Sequence, residues 1–311
     1  MPRRPSDPHD LIGEILGDVS PGSFASMAEA QRQIESRIRD YNARPQADLG
    51  GLSPAQMTEL LSGDWSTTGA FRLNEKLSAD DIGDPDMLHN ARAFLTALRD
   101  EGPAKLTAGG NLSREFVGRM LPRLRWPAGY IEDVRFVNKV IDERDVRPLE
   151  TLRYLLLFAK LIHKRKGFFN ISPTGRALLD DARRGELLAL LFRTFFRALD
   201  LRDVDGWDGD GGLQQTITYT FWRLRREAKD WTSPAHLVET AWLNDAKDSI
   251  LPPFAGDGTR FRAARLERRV LEPLVSLGVL ESRDLPSANR WERPIEVRTT
   301  PLFDRLMRFA L

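Results

Sequence analysis

The stretch from Pro148 to Asp181, PLETLRYLLLFAKLIHKRKGFFNISPTGRALLDD, most constrains the fold, because the spacing of its apolar residues changes twice. Residues 148–163 have helical spacing. KRKG then has the composition of a tight turn between two short strands, and Pro173 stands where a further helix would begin. The stretch therefore predicts a helix, a hairpin and a second helix.

This order is the closing half of a winged helix-turn-helix. The preceding segment, 85–121, predicts the missing first half. A helix begins after Asp84 and extends to about residue 101; a short extended piece and a glycine turn follow, and Ser113 caps the next helix. We therefore predict a first winged-helix-like unit over residues 85–182.

A similar pattern returns at 271–307, LEPLVSLGVLESRDLPSANRWERPIEVRTTPLFDRLM, which predicts a second winged-helix-like unit over 213–311. The acidic, glycine-rich run 203–212 is the predicted linker between the two units. Residues 1–25 are expected to be disordered, and 26–202 to form a helical N-terminal lobe that contains the first unit. The predicted fold class is mainly α with small β-hairpins, arranged as tandem winged-helix-like units.

Composition excludes several classes of protein. The chain has no Cys, which rules out disulfides, thiol catalysis and Cys-ligated zinc. Its first residues contain no continuous apolar segment, and the later apolar stretches are broken by Lys160 and Arg193, so we expect no signal peptide and no membrane span. These features predict a cytoplasmic protein.

Two short motifs carry a family resemblance. The chain resembles an uncharacterised family of bacterial proteins with LT-x-x-GNL-x-x-x-x-V helix units and LT-x-x-GR-x-LL wings, over about residues 50–182. The resemblance implies a winged-helix-like fold, but no activity and no site. The matching residues are Leu106, Thr107, Gly110, Asn111, Leu112 and Val117, then Ile171, Ser172, Gly175, Arg176, Leu178 and Leu179.

The segment YNARPQADLGGLSPAQ, 41–56, resembles the tail of insertion-sequence transposases. Such enzymes need three carboxylates that hold two metal ions, on a sheet that precedes this tail. The residues before Tyr41 read as a loop and one helix, and Gln46 and Gln56 depart from the family pattern. We therefore expect no transposase activity, and we interpret the segment as a helix end, a connector and a helix that Ser53 caps.

Several common catalytic motifs are absent from the sequence. P-loop, dinucleotide-binding, nucleophile-elbow and zinc-protease motifs are absent, which predicts a protein without enzymatic activity, metal or cofactor. The acidic residues of the linker lack the closing Glu of a calcium loop and favour a solvated linker. The scattered histidines are 9, 89, 163 and 236, and the acidic residues are Asp203, Asp205, Asp208 and Asp210.

Two basic groups are candidate contacts to nucleic acid, because a basic wing beside a basic helix grips phosphates. Residues 151–200 hold 10 basic and 4 acidic side chains, whereas residues 1–100 hold 10 and 16. The basic residues could instead face the acidic part of the chain, project from a core helix or form surface ion pairs. The first group is Arg153, Lys160, His163, Lys164, Arg165 and Lys166, and the second is Arg262, Arg265 and Arg269.

Two functions remain open. The first is DNA binding in a regulatory or mobile-element context, with phosphate contacts from the two basic groups to double-stranded DNA. The second is a protein-interaction scaffold that docks another protein or a second copy without DNA contact, which the net charge of +1 favours. A continuous positive face would favour DNA, and burial of Arg153 and Lys160 would favour docking.

Overall fold

The computed structural model describes residues 26–207, 212–243, 258–286 and 294–311. Over these residues the chain is mainly helical with small antiparallel sheets, which confirms that part of the predicted fold class. The N-terminal segment predicted to be disordered lies outside the described residues. None of the helices in the described ranges has the length and apolarity that a bilayer-spanning segment needs.

The helices and strands follow one another along the chain in a mixed order. The α-helices are α1 Met27–Ala43, α2 Pro54–Leu61, α3 Ala79–Ile82, α4 Asp86–Asp100, α5 Arg114–Met120, α6 Tyr130–Val137, α7 Arg147–Phe158, α8 Pro173–Ala177, α9 Arg184–Arg197, α10 Leu201–Asp205, α11 Ile217–Glu227, α12 Pro234–Ala241, α13 Thr259–Leu266, α14 Glu272–Ser276 and α15 Pro301–Leu306. The strands are β1 Phe71–Leu73, β2 Ala104–Lys105, β3 Ile162–Arg165, β4 Phe168–Ile171, β5 Leu280–Asp284, β6 Ile295–Thr299 and β7 Met307–Phe309.

Side-chain caps set many of the helix starts, as the sequence predicts. Ser53 and Gln56 form a capping box at α2: the Gln56 N–H donates to Ser53 Oγ over 3.2 Å, and the Ser53 N–H donates to Gln56 Oε1 over 3.0 Å. Ser113 caps α5 by a single hydrogen bond, which its Oγ accepts from the Phe116 N–H. The helix predicted over 85–101 is α4, and its side chains Leu88, Ala91, Leu95 and Leu98 are buried.

The two hairpins are held to the preceding helices by the same hydrogen bonds. Lys160, just after α7, has a left-handed backbone with φ 58°, and Gly278, just after α14, has φ 76°. The Ser172 hydroxyl donates to the Lys160 carbonyl over 2.8 Å, and the Thr300 hydroxyl donates to the Gly278 carbonyl over 2.7 Å. The parallel seen in the sequence therefore corresponds to a repeated backbone arrangement.

One hydrophobic core extends through both halves of the chain. Strand β1 pairs antiparallel with β7, so that Phe71 lies opposite Phe309. The Thr218 hydroxyl, on α11, donates to the Leu60 carbonyl of α2 over 2.8 Å. The segment predicted to be a solvated linker also belongs to the packed structure, since α10 continues to Asp205 and the Asp205 side chain is buried. Asp203, Gly206 and Trp207 are exposed, and 208–211 lie outside the described residues, so the linker over 203–212 stays a prediction.

Candidate nucleic-acid interface

The first hairpin carries four of the nine predicted site residues. Strands β3 and β4 are joined by Lys166 and Gly167, whose φ angles are 50° and 79°. Two successive left-handed residues are typical of the tight hairpin turn whose twist matches that of the strands, and glycine adopts this conformation without strain. The turn places His163, Lys164, Arg165 and Lys166 on an exposed projection, in which all four side chains are accessible.

The hairpin and β2 form a three-stranded sheet in the order β2-β4-β3. Because directly opposed residues project to the same face, Ala104 and Lys164 share a face with Phe169 of the central strand. Phe169 is buried, and the guanidinium of Arg153 on α7 lies 5.6 Å from its ring centre. This face of the sheet therefore packs on the helical core.

The opposite face, which we call the outer face, consists of Lys105, Phe168, Arg165, His163 and Asn170. Lys105 and Arg165 stand directly opposite Phe168 on its two sides, and His163 stands opposite Asn170. Phe168 is 38% exposed, although it lies on the central strand. The outer face thus presents an aromatic ring between two cations.

The charge of the outer face is not neutralised by neighbouring side chains. In the described part of the chain, no ion pair involves Lys105, Lys160 or any cation of residues 163–166. The second hairpin differs, since Arg283 pairs with Glu296 and Arg298 pairs with Glu281, each over 2.6 Å. Its two arginines also flank a single ring, that of Trp231, at 4.6 and 4.5 Å. The two hairpins therefore share their backbone arrangement but not their charge.

Lys164 lies at the edge of the sheet beside the glycine turn of 107–111. A Cβ atom placed on Gly110 would lie 3.5 Å from Lys164 Nζ, and one on Gly109 would lie 3.7 Å from Arg144 Nη2. Two cations therefore lie beside this turn. Arg144 and Lys105 were not among the predicted site residues.

The predicted basic stripe on the helix before the wing is wrong. The helix was expected to reach residue 163, which would align Arg153, Lys160 and Lys164. It ends at Phe158, because Lys160 adopts a left-handed conformation and β3 begins at Ile162. Lys160 stays exposed after the helix end, and Lys164 belongs to the strand.

Arg153 points into the core instead of toward solvent. Its side chain is 4% exposed, and its Nε donates to the buried Glu143 carboxylate. Glu143 Oε2 also accepts from the Leu112 N–H over 2.7 Å. Burial lowers the pKa of Arg153, but the hydrogen bond and charge of Glu143 outweigh that effect and raise it above its usual value. Arg153 therefore acts as a structural cation, and the prediction that it contacts phosphate is corrected.

The second predicted group is largely buried as well. Arg265 and Arg269 both donate to the Asp205 carboxylate, Arg269 over 2.8 Å from Nε and 2.7 Å from Nη2. Burial raises the pKa of Asp205, but the hydrogen bonds from Arg269 and Arg265 outweigh this and hold it below its usual range. Arg262, on the same helix, is half-buried. Arg265 and Arg269 are thus corrected from surface contacts to core ion pairs.

The outward side of α7 is aromatic rather than basic. Tyr154 is 41% exposed and Phe158 is 52% exposed, one helical turn apart. Thr151 lies on the same side, and Arg147 begins the helix there and donates to the Asp203 carbonyl over 3.3 Å. This side therefore offers rings and a hydroxyl, with one cation at its N-terminal end.

Other features of the described residues do not form a competing site. A cavity of about 580 Å³ is lined by Trp65, Arg197, Asp200 and Gln214, among others. Its polar groups are engaged: Gln214 donates to the Leu199 carbonyl over 2.6 Å, and Arg197 donates to the Gly63 carbonyl over 2.9 Å. No group of three or more metal-ligating side chains occurs within the described ranges.

Comparison with known proteins identifies a relationship in one region. Residues 84–184 match the family model described as the Y4jL N-terminal domain. The chain is similar to "Uncharacterized protein y4jL" of Sinorhizobium fredii (strain NBRC 101917 / NGR234), with 33% identity over 79 residues, which is 25% of this chain and 36% of that protein. The match therefore spans about a third of the relative. No solved structure matches this chain. These findings support a relationship to an uncharacterised bacterial family.

Proposed function

We propose that this chain is a non-enzymatic nucleic-acid-binding protein of two winged-helix-like units, which contacts phosphates through the first hairpin. The element order supports the fold assignment. The first unit contains, in chain order, α4, β2, α5, α7 and the β3–β4 hairpin. Strand β2 pairs with β4, the second strand of the hairpin. That is the order of helices and strands in a winged helix, with 121–146 as an addition between its second and third helices.

The second unit supports the same assignment. Helices α11, α12 and α13 to α14 precede the β5–β6 hairpin, and Thr232, between α11 and α12, bridges Val297 of β6. Thr232 thus takes the place of β2 beside the second hairpin strand. The shared hydrogen bonds of Lys160 and Gly278 extend this parallel to the helix ends.

The observation that carries the functional proposal is the charge of the first hairpin. Lys105 and the cations of 163–166 are exposed on a short sheet, and Lys160 is exposed just before it. None of them has a carboxylate partner in the described residues. Surface cations that neutralise phosphates release counterions, which provides most of the sequence-independent affinity for nucleic acids. The buried Arg153, Arg265 and Arg269 take no part in this surface.

The test is binding to labelled DNA, both duplex and single-stranded, across a salt series. We expect affinity to fall as salt rises, with a log-log slope of about 0.7 to 0.9 for each phosphate contact. The triple variant Lys164→Glu, Arg165→Glu, Lys166→Glu should weaken binding at least about 10-fold.

The matched control makes the same change of charge elsewhere on the surface. Lys76, Arg226 and Lys229 are exposed and lie outside the hairpin, so the triple variant that replaces each with Glu should retain much more affinity. Equal losses in the two triple variants would contradict the hairpin as the site. Absence of binding at low salt to either form of DNA would refute the proposed function.

A second candidate, protein docking, is favoured by the aromatic side of α7. Exposed Tyr154 and Phe158 are the type of residue enriched at the centre of protein interfaces. Docking of a second copy would make the mass in sedimentation equilibrium rise with concentration. The variant Tyr154→Ser, Phe158→Ser should then remain monomeric, whereas a wild-type monomer at all concentrations would argue against this form of docking.

A further inference from the structure

The outer face of the first hairpin differs from a surface that only attracts phosphates. Phe168 is placed on the central strand with Lys105 on one side and Arg165 on the other, in direct register. Opposed side chains on neighbouring strands begin about 4.5 to 5.5 Å apart. Both cationic side chains therefore begin beside one exposed ring, and His163 and Asn170 extend the same face along the strands.

An exposed ring bordered by cations suits an unpaired base and its neighbouring phosphates. Every base has a flat π-face that can stack on an aromatic side chain, while Lys and Arg hold the backbone beside it. In a duplex, by contrast, the base faces are covered by neighbouring base pairs. Phe168 can therefore stack only on a base that is not enclosed in a helix.

The helix next to the hairpin presents few of the side chains that recognise base edges in a duplex. Readers of the major groove present Arg, Lys, Asn or Gln to the donors and acceptors at the base edges. The accessible side of α7 presents mainly Thr151, Tyr154 and Phe158. Arg147 lies at its N-terminal end and donates to the Asp203 carbonyl, and Arg153 is bound to Glu143 in the core. The rings of Tyr154 and Phe158 provide further surfaces for stacking rather than for base-edge recognition.

We propose that the partner of this face is single-stranded nucleic acid, with one base stacked on Phe168 and the flanking phosphates held by Lys105 and Arg165. This inference rests on the proposed function. It is a sequence-tolerant mode of binding, since neither stacking nor phosphate contact distinguishes the bases.

The experiment measures fluorescence anisotropy of the full chain with a labelled 15-nucleotide oligo-dT, an oligo-U of the same length and the dT·dA duplex. Loss of base stacking costs about 5- to 150-fold in affinity. We therefore expect Phe168→Leu, which keeps an apolar side chain, to weaken single-strand binding by that factor and to leave duplex binding almost unchanged. Phe168→Tyr retains the ring and should restore the affinity for single strands.

Phe136 provides the matched control, because it is 92% exposed and lies outside the hairpin. Phe136→Leu should bind single strands like the wild type. Lys105→Gln and Arg165→Gln should each lower the salt slope for single strands by about 0.7. The comparison of oligo-dT with oligo-U identifies whether DNA or RNA is preferred.

The outcomes separate the inference from the function on which it rests. Preference for single strands together with the Phe168→Leu loss supports both. Equal or tighter binding of the duplex, with Phe168→Leu unchanged, overturns the single-strand inference and leaves nucleic-acid binding in place. Failure to bind any of the three probes at low salt overturns both.

Discussion

Replacement of Asp205 by Asn should strongly destabilise the protein, because its carboxylate neutralises two arginines in the core. The Asp205 and Arg269 side chains are 0% exposed, and Arg265 is buried beside them. Removal of one partner from a buried ion pair costs about 3–5 kcal/mol, since the remaining charge stays desolvated and unpaired. Two guanidiniums depend on this carboxylate, so we expect a loss near the upper end of that range.

Urea unfolding followed by tryptophan fluorescence and far-UV circular dichroism measures this loss. With a slope of about 3 kcal/mol per M, the expected loss lowers the unfolding midpoint by about 1–2 M. Asp203→Asn is the matched control, because Asp203 lies two residues away on the same helix and is exposed. It should change stability by less than about 0.5 kcal/mol.

The same pair of variants decides whether 203–207 belongs to the core. If Asp205→Asn were as mild as Asp203→Asn, the ion pairs would not form in solution and the solvated linker would be the correct interpretation. Addition of Arg269→Met to Asp205→Asn should recover part of the lost stability, because the variant then buries one unpaired charge fewer. A further additive loss would contradict the electrostatic explanation.

Two further predictions concern stability. Burial and the charge of Glu272 raise the pKa of Glu267 to about 7. The folded state therefore binds more protons than the unfolded state between about pH 4.5 and 7, and the free energy of unfolding falls as pH rises through that window. Glu267→Gln should therefore raise the melting temperature at pH 8, by the equivalent of about 1–3 kcal/mol, and change it little near pH 4. The same gain at both pH values would contradict this titration. A Cβ on Gly175 would lie 2.4 Å from the Leu161 carbonyl oxygen, whereas one on Gly118 meets no atom within 4 Å. In thermal unfolding, Gly175→Ala should cost about 2 kcal/mol or more and Gly118→Ala should gain about 0.4–1 kcal/mol; similar values for the two would refute the steric argument.

The helix starts and the first hairpin could be predicted because they depend on neighbouring residues. Ser53 and Gln56 satisfy each other's backbone N–H groups within one turn, so the capping box is visible in the sequence. Lys166 and Gly167 form a two-residue turn for the same local reason. Helix ends were less predictable: α7 stops at Phe158, although apolar residues continue through Ile162, because the backbone reverses its hand at Lys160.

Helical periodicity could not predict which basic side chains are buried and which are exposed. Helical spacing shows which residues share a side of a helix, but not what packs against that side. Arg153 meets Glu143 from the preceding segment, and Arg269 meets Asp205, which is 64 positions away. Such pairs depend on tertiary structure, and they place three of the predicted surface arginines, Arg153, Arg265 and Arg269, in the core. Phe168 and Lys105 were missed for the same reason, since only strand pairing brings them together.

The two hairpins are similar in backbone but differ in the charge that they present to a partner. Each backbone leaves the preceding helix through a left-handed residue whose carbonyl accepts from a Ser or Thr hydroxyl, so the two hairpins are alike at this point. Binding depends instead on side-chain charge that remains available to a partner. In the second hairpin Glu281 and Glu296 occupy the arginines, whereas the outer face of the first has no carboxylate on its strands. If charge availability determines binding, Glu281→Gln with Glu296→Gln should add a salt-dependent affinity for single strands that the hairpin backbone alone does not provide.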